Sequence, residues 1–212
     1  MHISDGILNA PVLVAGFAGA GVLAVATMRN MDMEEIPKIS VITAVFFVAS
    51  SIKIPLGPTS IHLILNGLAA VVLGWRAFPA ITLGLVLQAI ILGHGGVTVI
   101  GINALMMGGG GLIAYMVWQQ RHRFYFKKKL FVFGALTGAV GVASSGIILA
   151  LALATAGEAF HAVAGAALLA HIPIILIEAG VVGACAEFLQ KVKPELLAGQ
   201  QAPKLQTSVG AG

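Results

Sequence analysis

The chain of 212 residues has little charge and almost no cysteine. Only 9% of its residues are charged, against roughly 25% in soluble domains, whereas 58% are hydrophobic and the mean hydropathy is +1.00. Its single cysteine, Cys185, excludes both an internal disulfide and a metal cluster built from thiolates. This composition excludes an ordinary soluble domain and predicts a protein embedded in lipid.

The sequence also lacks the motifs of common hydrolases and nucleotide-binding proteins. It contains no Walker A sequence, no H-E-x-x-H and no G-x-S-x-G, so it has no recognisable means of hydrolysing ATP by itself. The first apolar run has no basic n-region and no A-x-A-like cleavage site, which predicts a retained helix and not a signal peptide. The sequence pI of about 9.5 does not indicate nucleic-acid binding, because the basic residues are scattered between apolar runs.

Apolar stretches long enough, or nearly so, to cross a hydrocarbon core about 30 Å thick recur along the chain. They predict an all-α fold, a polytopic transmembrane bundle of about seven helices, in a metal-binding domain that covers residues 1–197. Residues 198–212 are rich in Gln, Gly and Ala and are predicted to be a disordered tail or linker. The predicted spans are 7–28, 39–55, 59–75, 77–93, 99–118, 131–156 and 162–190.

The basic residues predict the orientation of these spans. If the N-terminus lies outside, only Lys53 of the 12 Lys and Arg residues falls on the outer side. This distribution requires an odd number of spans, so the number of spans and the orientation support each other. The C-terminus is then expected in the cytoplasm.

The most informative motif is the pair Met1-His2 at the start of the chain. The α-amine of Met1, the main-chain nitrogen of His2 and Nδ1 of its ring can bind one ion through fused five- and six-membered rings once the amide is deprotonated. Planar coordination by nitrogen suits Ni(II) and Cu(II) better than Zn(II). Methionine aminopeptidase needs a small second residue, so Met1 is expected to remain. The alternative is that His2 is an ordinary residue of a frayed terminus.

Further polar residues fall near the outer face in the predicted topology. His62 follows a Gly-Pro turn and is predicted to complete the square plane around the metal, although by itself it is typical of a capped helix start. His94 lies in a glycine-rich turn and is predicted to hydrogen-bond the ligands or line the pocket, with axial coordination as the alternative. The other predicted pocket residues are Asp5, Ser60 and Asn103.

The remaining polar residues permit more than one interpretation. Asp5 is expected to balance the charge of a divalent cation or to orient the His2 ring, and it is equally suited to be the N-cap of the first helix, since the two roles are compatible. His161 and His171 would form an access route for metal or bond locally, and His122 is expected to be solvated. Glu178 is predicted to lie nearer the inner face, far from the histidines, in a partner contact or a structural hydrogen bond.

Four motifs occur in this order along the chain. They are Met1-His2-Ile3-x-Asp5-Gly6, Gly57-Pro58-x-x-x-His62-x-x-x-x-Gly67, Gly93-His94-Gly95-Gly96 leading to Gly101-x-Asn103, and His171-x-Pro173 followed by Glu178 and Gly180. Together they resemble the CbiM/NikM family, the membrane substrate-binding components of energy-coupling factor importers for cobalt and nickel. The resemblance extends to about residue 195, and the first motif is its most specific part.

The resemblance implies a fold with six helices common to such components plus an extra N-terminal helix. It also implies that the segment ahead of this helix inserts into the core and supplies the metal chelate. The implied partners, in a prokaryotic inner membrane, are a transmembrane coupling protein and cytoplasmic ATPase subunits. A small accessory membrane subunit is common in the family, and the tail resembles a linker to it. Aspartate at position 5 resembles the nickel branch of the family, and glutamate there the cobalt branch.

The expected function is therefore high-affinity binding of Ni(II), the transported substrate, at the outer face, without enzymatic activity. The expected ligands come from Met1, His2 and His62. A cobalt-specific component of the same kind is the first alternative. The others are an intramembrane zinc enzyme with His2, His62 and His94 around the metal, and a passive channel lined by the histidines.

Overall fold

A computed structural model describes residues 2–52, 54–56 and 59–200. Most of this part is helical, because a helix is the structure in which an apolar segment satisfies its own backbone hydrogen bonds. Asn9 begins the first helix, and its side chain accepts a hydrogen bond from the amide of Val12 at 3.2 Å. The helices are α1 (Ala10–Met28), α2 (Ile36–Ser51), α3 (Asn66–Leu73), α4 (Ala77–Leu92), α5 (Ile100–Gln119), α6 (Lys129–Ala154) and α7 (His161–Val192).

Three short strands form a small antiparallel sheet beside the helices. The order is β1 (His2–Ile3), β3 (Thr59–Ile61) and β2 (Ile54–Leu56), with β3 in the middle. His2 is paired with Ser60. The N-terminal strand therefore extends a hairpin that lies between α2 and α3 in the sequence.

This sheet replaces part of the helix predicted for residues 59–75. Residues 59–61 form β3, residues 62–65 belong to no helix or strand, and α3 begins only at Asn66. Hydropathy does not distinguish a helix from an apolar segment that finds its hydrogen-bond partners elsewhere in the fold. The prediction of a helix from residue 59 is therefore wrong, whereas the other predicted spans coincide with observed helices to within a few residues.

Within the part of the chain that the structure describes, five helical segments are long and apolar enough to cross a membrane. One of them, 66–92, is not a straight rod, since Gly74 (φ 61°) interrupts it and its two ends lead to His62 and His94, which both lie beside His2. The predicted count of about seven spanning helices is not supported, but a polytopic helical bundle is. The five segments are 10–28, 66–92, 100–123, 129–154 and 158–192.

The bundle has a histidine end and a basic end. Helix α5 contacts α1, α3, α4 and α6, while α7 packs mainly on α6. Asn103 near the start of α5 binds Ile3, and Arg121 just beyond its C-terminus binds Ala198. At about 1.5 Å per residue, Asn103 and Arg121 are about 27 Å apart along the axis of α5 and its extension, close to the thickness of a hydrocarbon core. The orientation of these ends in a membrane stays a prediction.

Ala198 packs with the bundle, although the predicted tail begins at this residue. Its amide donates to the carbonyl of Val71 at 2.8 Å. Its carbonyl accepts from Nε1 of Trp118 at 3.3 Å and from Arg121 at 2.6 Å. The last residues of the predicted tail, 201–212, lie outside the described residues.

Arg76 connects three helix ends at the basic end. Its Nε lies 2.8 Å from Oε2 of Glu35, and the arginine side chain is only 15% exposed. Its terminal nitrogens donate to the carbonyls of Thr27, Arg29 and Asn30, where α1 ends. A planar guanidinium suits these carbonyls, which have no helical amide to bond. Arg76 thereby joins the end of α1, the residues before α2 and the turn between α3 and α4.

Replacement of Arg76 by lysine should destabilise the bundle. Lysine keeps the charge but cannot hold several acceptors in one fixed plane, so we expect a loss of about 2 kcal/mol in the free energy of unfolding. In thermal melting of the purified protein in detergent, Arg76→Lys should melt several degrees below wild type. Arg123→Lys, at an exposed arginine, should melt as wild type does. Equal melting temperatures for the two variants would contradict this role.

Candidate metal centre

Three histidines from distant parts of the sequence meet at one end of the bundle. His2 and His62 are buried, with 3% and 4% of their surface exposed, and His94 is half-buried. The ring centroids of His2 and His62 are 4.9 Å apart, and those of His2 and His94 are 6.1 Å apart. The N-terminal strand, the loop before α3 and the turn after α4 therefore form a single site.

The hydrogen bonding of His62 shows which of its two ring nitrogens carries the hydrogen. Nδ1 lies 2.8 Å from the carbonyl oxygen of Leu63, and because a carbonyl can only accept, Nδ1 carries the hydrogen. Nε2 then has the lone pair. This atom is buried, and the described residues offer it no hydrogen-bond partner. Such an acceptor is costly in a purely structural histidine, but it is what a metal ligand requires.

The side chain of Asn103 holds the backbone of Ile3 at both of its polar groups. The amide of Ile3 donates to Oδ1 of Asn103 at 3.0 Å, and Nδ2 of Asn103 donates to the carbonyl of Ile3 at 3.2 Å. Ile3 is completely buried, and β1 is also paired with β3. The residue next to His2 is therefore fixed by both a strand and a side chain. The motif indicated Asn103 as a pocket residue, but only the fold reveals that its side chain binds both backbone groups of Ile3, an arrangement called the Asn103 clamp below.

Asp5 lies against the glycine-rich turn that follows α4. Its amide donates to the carbonyl of Gly95 at 2.8 Å, and its Oδ1 accepts from the hydroxyl of Thr98 at 2.5 Å. A side chain at Gly96 would overlap with the Asp5 carboxylate. The alternative that Asp5 is the N-cap of the first helix is wrong, because Asn9 has that role. Its charge-balancing role stays a prediction.

Some predicted residues cannot be placed. Met1, Gly57 and Pro58 lie outside the described residues, and so does the side chain of Ser60, whose backbone pairs with His2. Their predicted roles stay predictions. In the described ranges no group of three or more His, Cys, Asp or Glu side chains is arranged to hold a metal ion. The predicted ligand set does not need one, since half of its donors are nitrogens of the main chain.

Glu178 is nearer to the site than the sequence predicted. It is completely buried and accepts hydrogen bonds from the amides of Ile64 and Leu65, the latter at 2.8 Å. The prediction that it lies far from the histidines is wrong, because the two amides that it accepts from lie only two and three residues after His62. A side chain without exposed surface also cannot form the predicted partner contact. Of the two predicted roles, the structural hydrogen bond is the one observed.

Of the remaining histidines only His171 is buried, and its Nε2, like that of His62, has no hydrogen-bond partner among the described residues. The Nδ1 atom of His171 lies 2.6 Å from the carbonyl of Ala167 one turn earlier. This is the local hydrogen bond that the sequence allowed. His122 and His161 are exposed.

Together these features define a polytopic helical membrane protein with a buried histidine site at one end of its bundle. The chain belongs to the CbiM family, described as the cobalt uptake substrate-specific transmembrane region, which matches residues 2–196.

Named relatives and a solved structure agree with this assignment. The chain is 34% identical over 204 residues to a Haemophilus influenzae protein named "Putative metal transport protein", covering 93% of this chain and 97% of that one. It is 32% identical to the "Fused nickel transport protein NikMN" of Rhodobacter capsulatus, covering 96% of this chain and 65% of that longer protein. A "Crystal Structure of an transition metal transporter" has the same fold, with a TM-score of 0.78, 24% identity and coverage of 91% and 93%.

The chain is therefore a component of cobalt or nickel transport. It is a multi-pass membrane protein, in which several apolar helices are long enough to cross the bilayer. Because the family and its named members are transport proteins, the alternative of an intramembrane zinc enzyme is excluded.

Alanine at Gly95 should loosen the N-terminal segment, whereas alanine at Gly93 should not. Both glycines have left-handed φ values, 75° and 63°, so both variants carry a similar backbone penalty of about 1–2 kcal/mol. A Cβ at Gly95 would lie 2.9 Å from Nδ2 of Asn103 and 3.4 Å from the carbonyl oxygen of Ile3, while one at Gly93 would have nothing within 4 Å. Hydrogen exchange measured by mass spectrometry should therefore accelerate in residues 2–6 of Gly95→Ala only. Equal exchange in the two variants would contradict the role of the Asn103 clamp in holding residues 2–6.

Proposed function

We propose that the chain binds Ni(II) with high affinity, as the substrate-specific component of an energy-coupling factor importer. The observation on which this proposal rests is the available lone pair on Nε2 of His62. Its Nε2 is buried, has a lone pair and has no partner among the described residues, and its ring lies 4.9 Å from that of His2. An imidazole nitrogen in this state is the fourth donor that a three-nitrogen chelate at the N-terminus needs.

The four proposed donors are nitrogens. Met1 supplies its α-amine, His2 its deprotonated main-chain nitrogen and Nδ1, and His62 its Nε2. Fused chelate rings force the first three into one plane, and His62 closes the square, a geometry that Ni(II) favours. The family description names cobalt uptake, which makes Co(II) the second candidate for the same site.

Two further residues support the centre in this proposal. The half-buried ring of His94, whose centroid is 6.1 Å from that of His2, hydrogen-bonds the ligands or lines the pocket. The Asp5 carboxylate, which is held by the hydroxyl of Thr98, balances part of the charge of the cation. Groups that orient metal ligands commonly change metal affinity by about 10- to 100-fold.

The rest of the proposal concerns the membrane and the partners. The histidine end faces outward from a prokaryotic inner membrane, and the C-terminus is cytoplasmic, as the distribution of the 12 Lys and Arg residues predicts. A transmembrane coupling protein and cytoplasmic ATPases supply the energy, since the chain has no nucleotide-binding motif. The fused NikMN relative supports an accessory subunit beyond the tail. Tight planar coordination disfavours a passive channel, which must release its ion quickly.

His62→Ala should weaken nickel binding by orders of magnitude without unfolding the protein, because a water molecule is a poorer fourth ligand than imidazole. Isothermal titration of purified protein with Ni(II), with a competing titration of Co(II), measures the effect and the preferred ion. The absorption spectrum of the wild-type complex should show the d–d band of planar Ni(II). His122→Ala, which removes an exposed histidine, is the control and should bind as wild type does. Equal nickel affinity of His62→Ala and wild type would rule out this coordination.

A further inference from the structure

We propose that Glu178 is a positioning residue for His62: its carboxyl group fixes the loop that presents Nε2 of His62 to the metal. This inference rests on the proposed function. It goes beyond that function by assigning part of the metal affinity to a side chain that is not a ligand and lies on the last helix.

The first argument is the hydrogen bonding of the loop between β3 and α3. Oε1 of Glu178 accepts from two successive amides, those of Ile64 and Leu65. Both lie within three residues of His62, in a segment that belongs to no helix or strand. In a buried apolar environment such amides need an acceptor from another part of the protein, and Glu178 supplies it.

The second argument is the conformation of Leu65. Its φ of 53° is left-handed, a region that side chains other than glycine adopt only when the surroundings impose it. Leu65 is the N-cap residue of α3, but no side chain of its own segment caps this helix. The carboxyl group of Glu178 therefore provides both the acceptor and a favourable partner for the positive end of α3.

The third argument is that α7, which carries Glu178, and α3, which follows the loop, are held in fixed positions by α6. A Cβ on Gly138 would lie 2.6 Å from the carbonyl oxygen of Glu178, and one on Gly67 would lie 2.6 Å from Cα of Gly138. Helices α3, α6 and α7 are thus in direct backbone contact beside the carboxyl group. Asn66 adds a further tie, since its Nδ2 donates to Oγ of Ser145 on α6 at 2.9 Å.

These contacts leave one short segment whose position depends on Glu178. On one side β3 is held by its strand partners, and on the other Asn66 is held by α6. Residues 62–65 lie between these anchors. Because Nδ1 of His62 is bonded to the carbonyl of Leu63, the direction of its Nε2 follows the backbone of this segment. Removal of the Glu178 acceptor should therefore displace the fourth nitrogen of the proposed centre.

The test is nickel titration of wild type beside Glu178→Leu, which keeps a similar volume but has no acceptor. Its affinity should fall by about 10- to 100-fold, the range seen when a group that orients a metal ligand is removed. Glu178→Gln retains a carbonyl oxygen that can accept both bonds and should recover most of the affinity. The matched control is Glu187→Leu, also on α7, where a partly exposed carboxylate pairs with Lys191 at 3.3 Å; it should bind nickel as wild type does.

A double variant that lacks both Glu178 and His62 distinguishes positioning of His62 from a general structural role of Glu178. If Glu178 acts through His62, the double variant His62→Ala/Glu178→Leu should bind nickel no more weakly than His62→Ala alone. The d–d band of the Glu178→Leu complex should also shift toward that of His62→Ala. Additive losses in the double variant, or an unshifted band, would overturn the proposal. If Glu178→Leu does not fold, Glu178→Asp, shorter by one methylene group, replaces it in the same design.

The two proposals fail in different ways. Wild-type protein that binds no nickel would contradict the proposed function and this inference with it. Wild-type protein that binds tightly, beside a folded Glu178→Leu variant of equal affinity, would contradict the positioning of His62 alone.

Discussion

The site depends on one constraint: irregular backbone buried among apolar helices must find all of its hydrogen-bond partners within the protein. The backbone groups of β1, β2 and β3 form hydrogen bonds with one another in a sheet. Asn103 satisfies both polar groups of Ile3, Gly95 accepts from Asp5, and Glu178 accepts from the loop before α3. A helix in these places would bond its own backbone, but it would lack the strand pairing that sets His2 opposite Ser60, two residues before His62. The partners that make non-helical backbone possible here are therefore the same groups that bring the histidines together.

Much of this fold could be predicted from hydropathy, because a segment that bonds within itself needs no information from the rest of the chain. The helix predicted from residue 59 failed for the opposite reason: β3 pairs with β2 and with residues 2–3, and no local pattern reveals the pairing with residues 2–3. The place of Glu178 was missed because residues 62–65 were predicted to be helical, so their amides were not expected to need an acceptor on the last helix. Asp5 and Asn9 are both good N-cap residues by type, and the start of α1 at Ala10 with the hydrogen bond from Val12 to Asn9 decides between them. The three clustered histidines could be predicted from their motifs, but not the hydrogen bond that leaves Nε2 of His62 available.

The proposed centre also accounts for the absence of a side-chain metal cluster in the described part of the chain. Main-chain nitrogens are present in every protein, and they become ligands only where a terminal amine and a neighbouring histidine are held rigidly beside another donor. The protein supplies that rigidity through β1 and Asn103 on one side and through the loop tied to Glu178 on the other. In this account selectivity for Ni(II) follows from the planarity of fused rings, and the surrounding helices serve mainly to place His62 in that plane.

The most direct test of the account is to change the spacing of the amine without changing any side chain. One alanine inserted between Met1 and His2 leaves every predicted side-chain ligand in the protein but removes the fused chelate. Nickel titration of this variant beside wild type, at several pH values, should show tight binding by wild type that weakens as the pH falls, because the metal displaces protons from its ligands. The inserted variant should reach the membrane normally and bind nickel only weakly. Equal affinity of the two proteins would show that the amine is not a ligand and would contradict the proposed coordination.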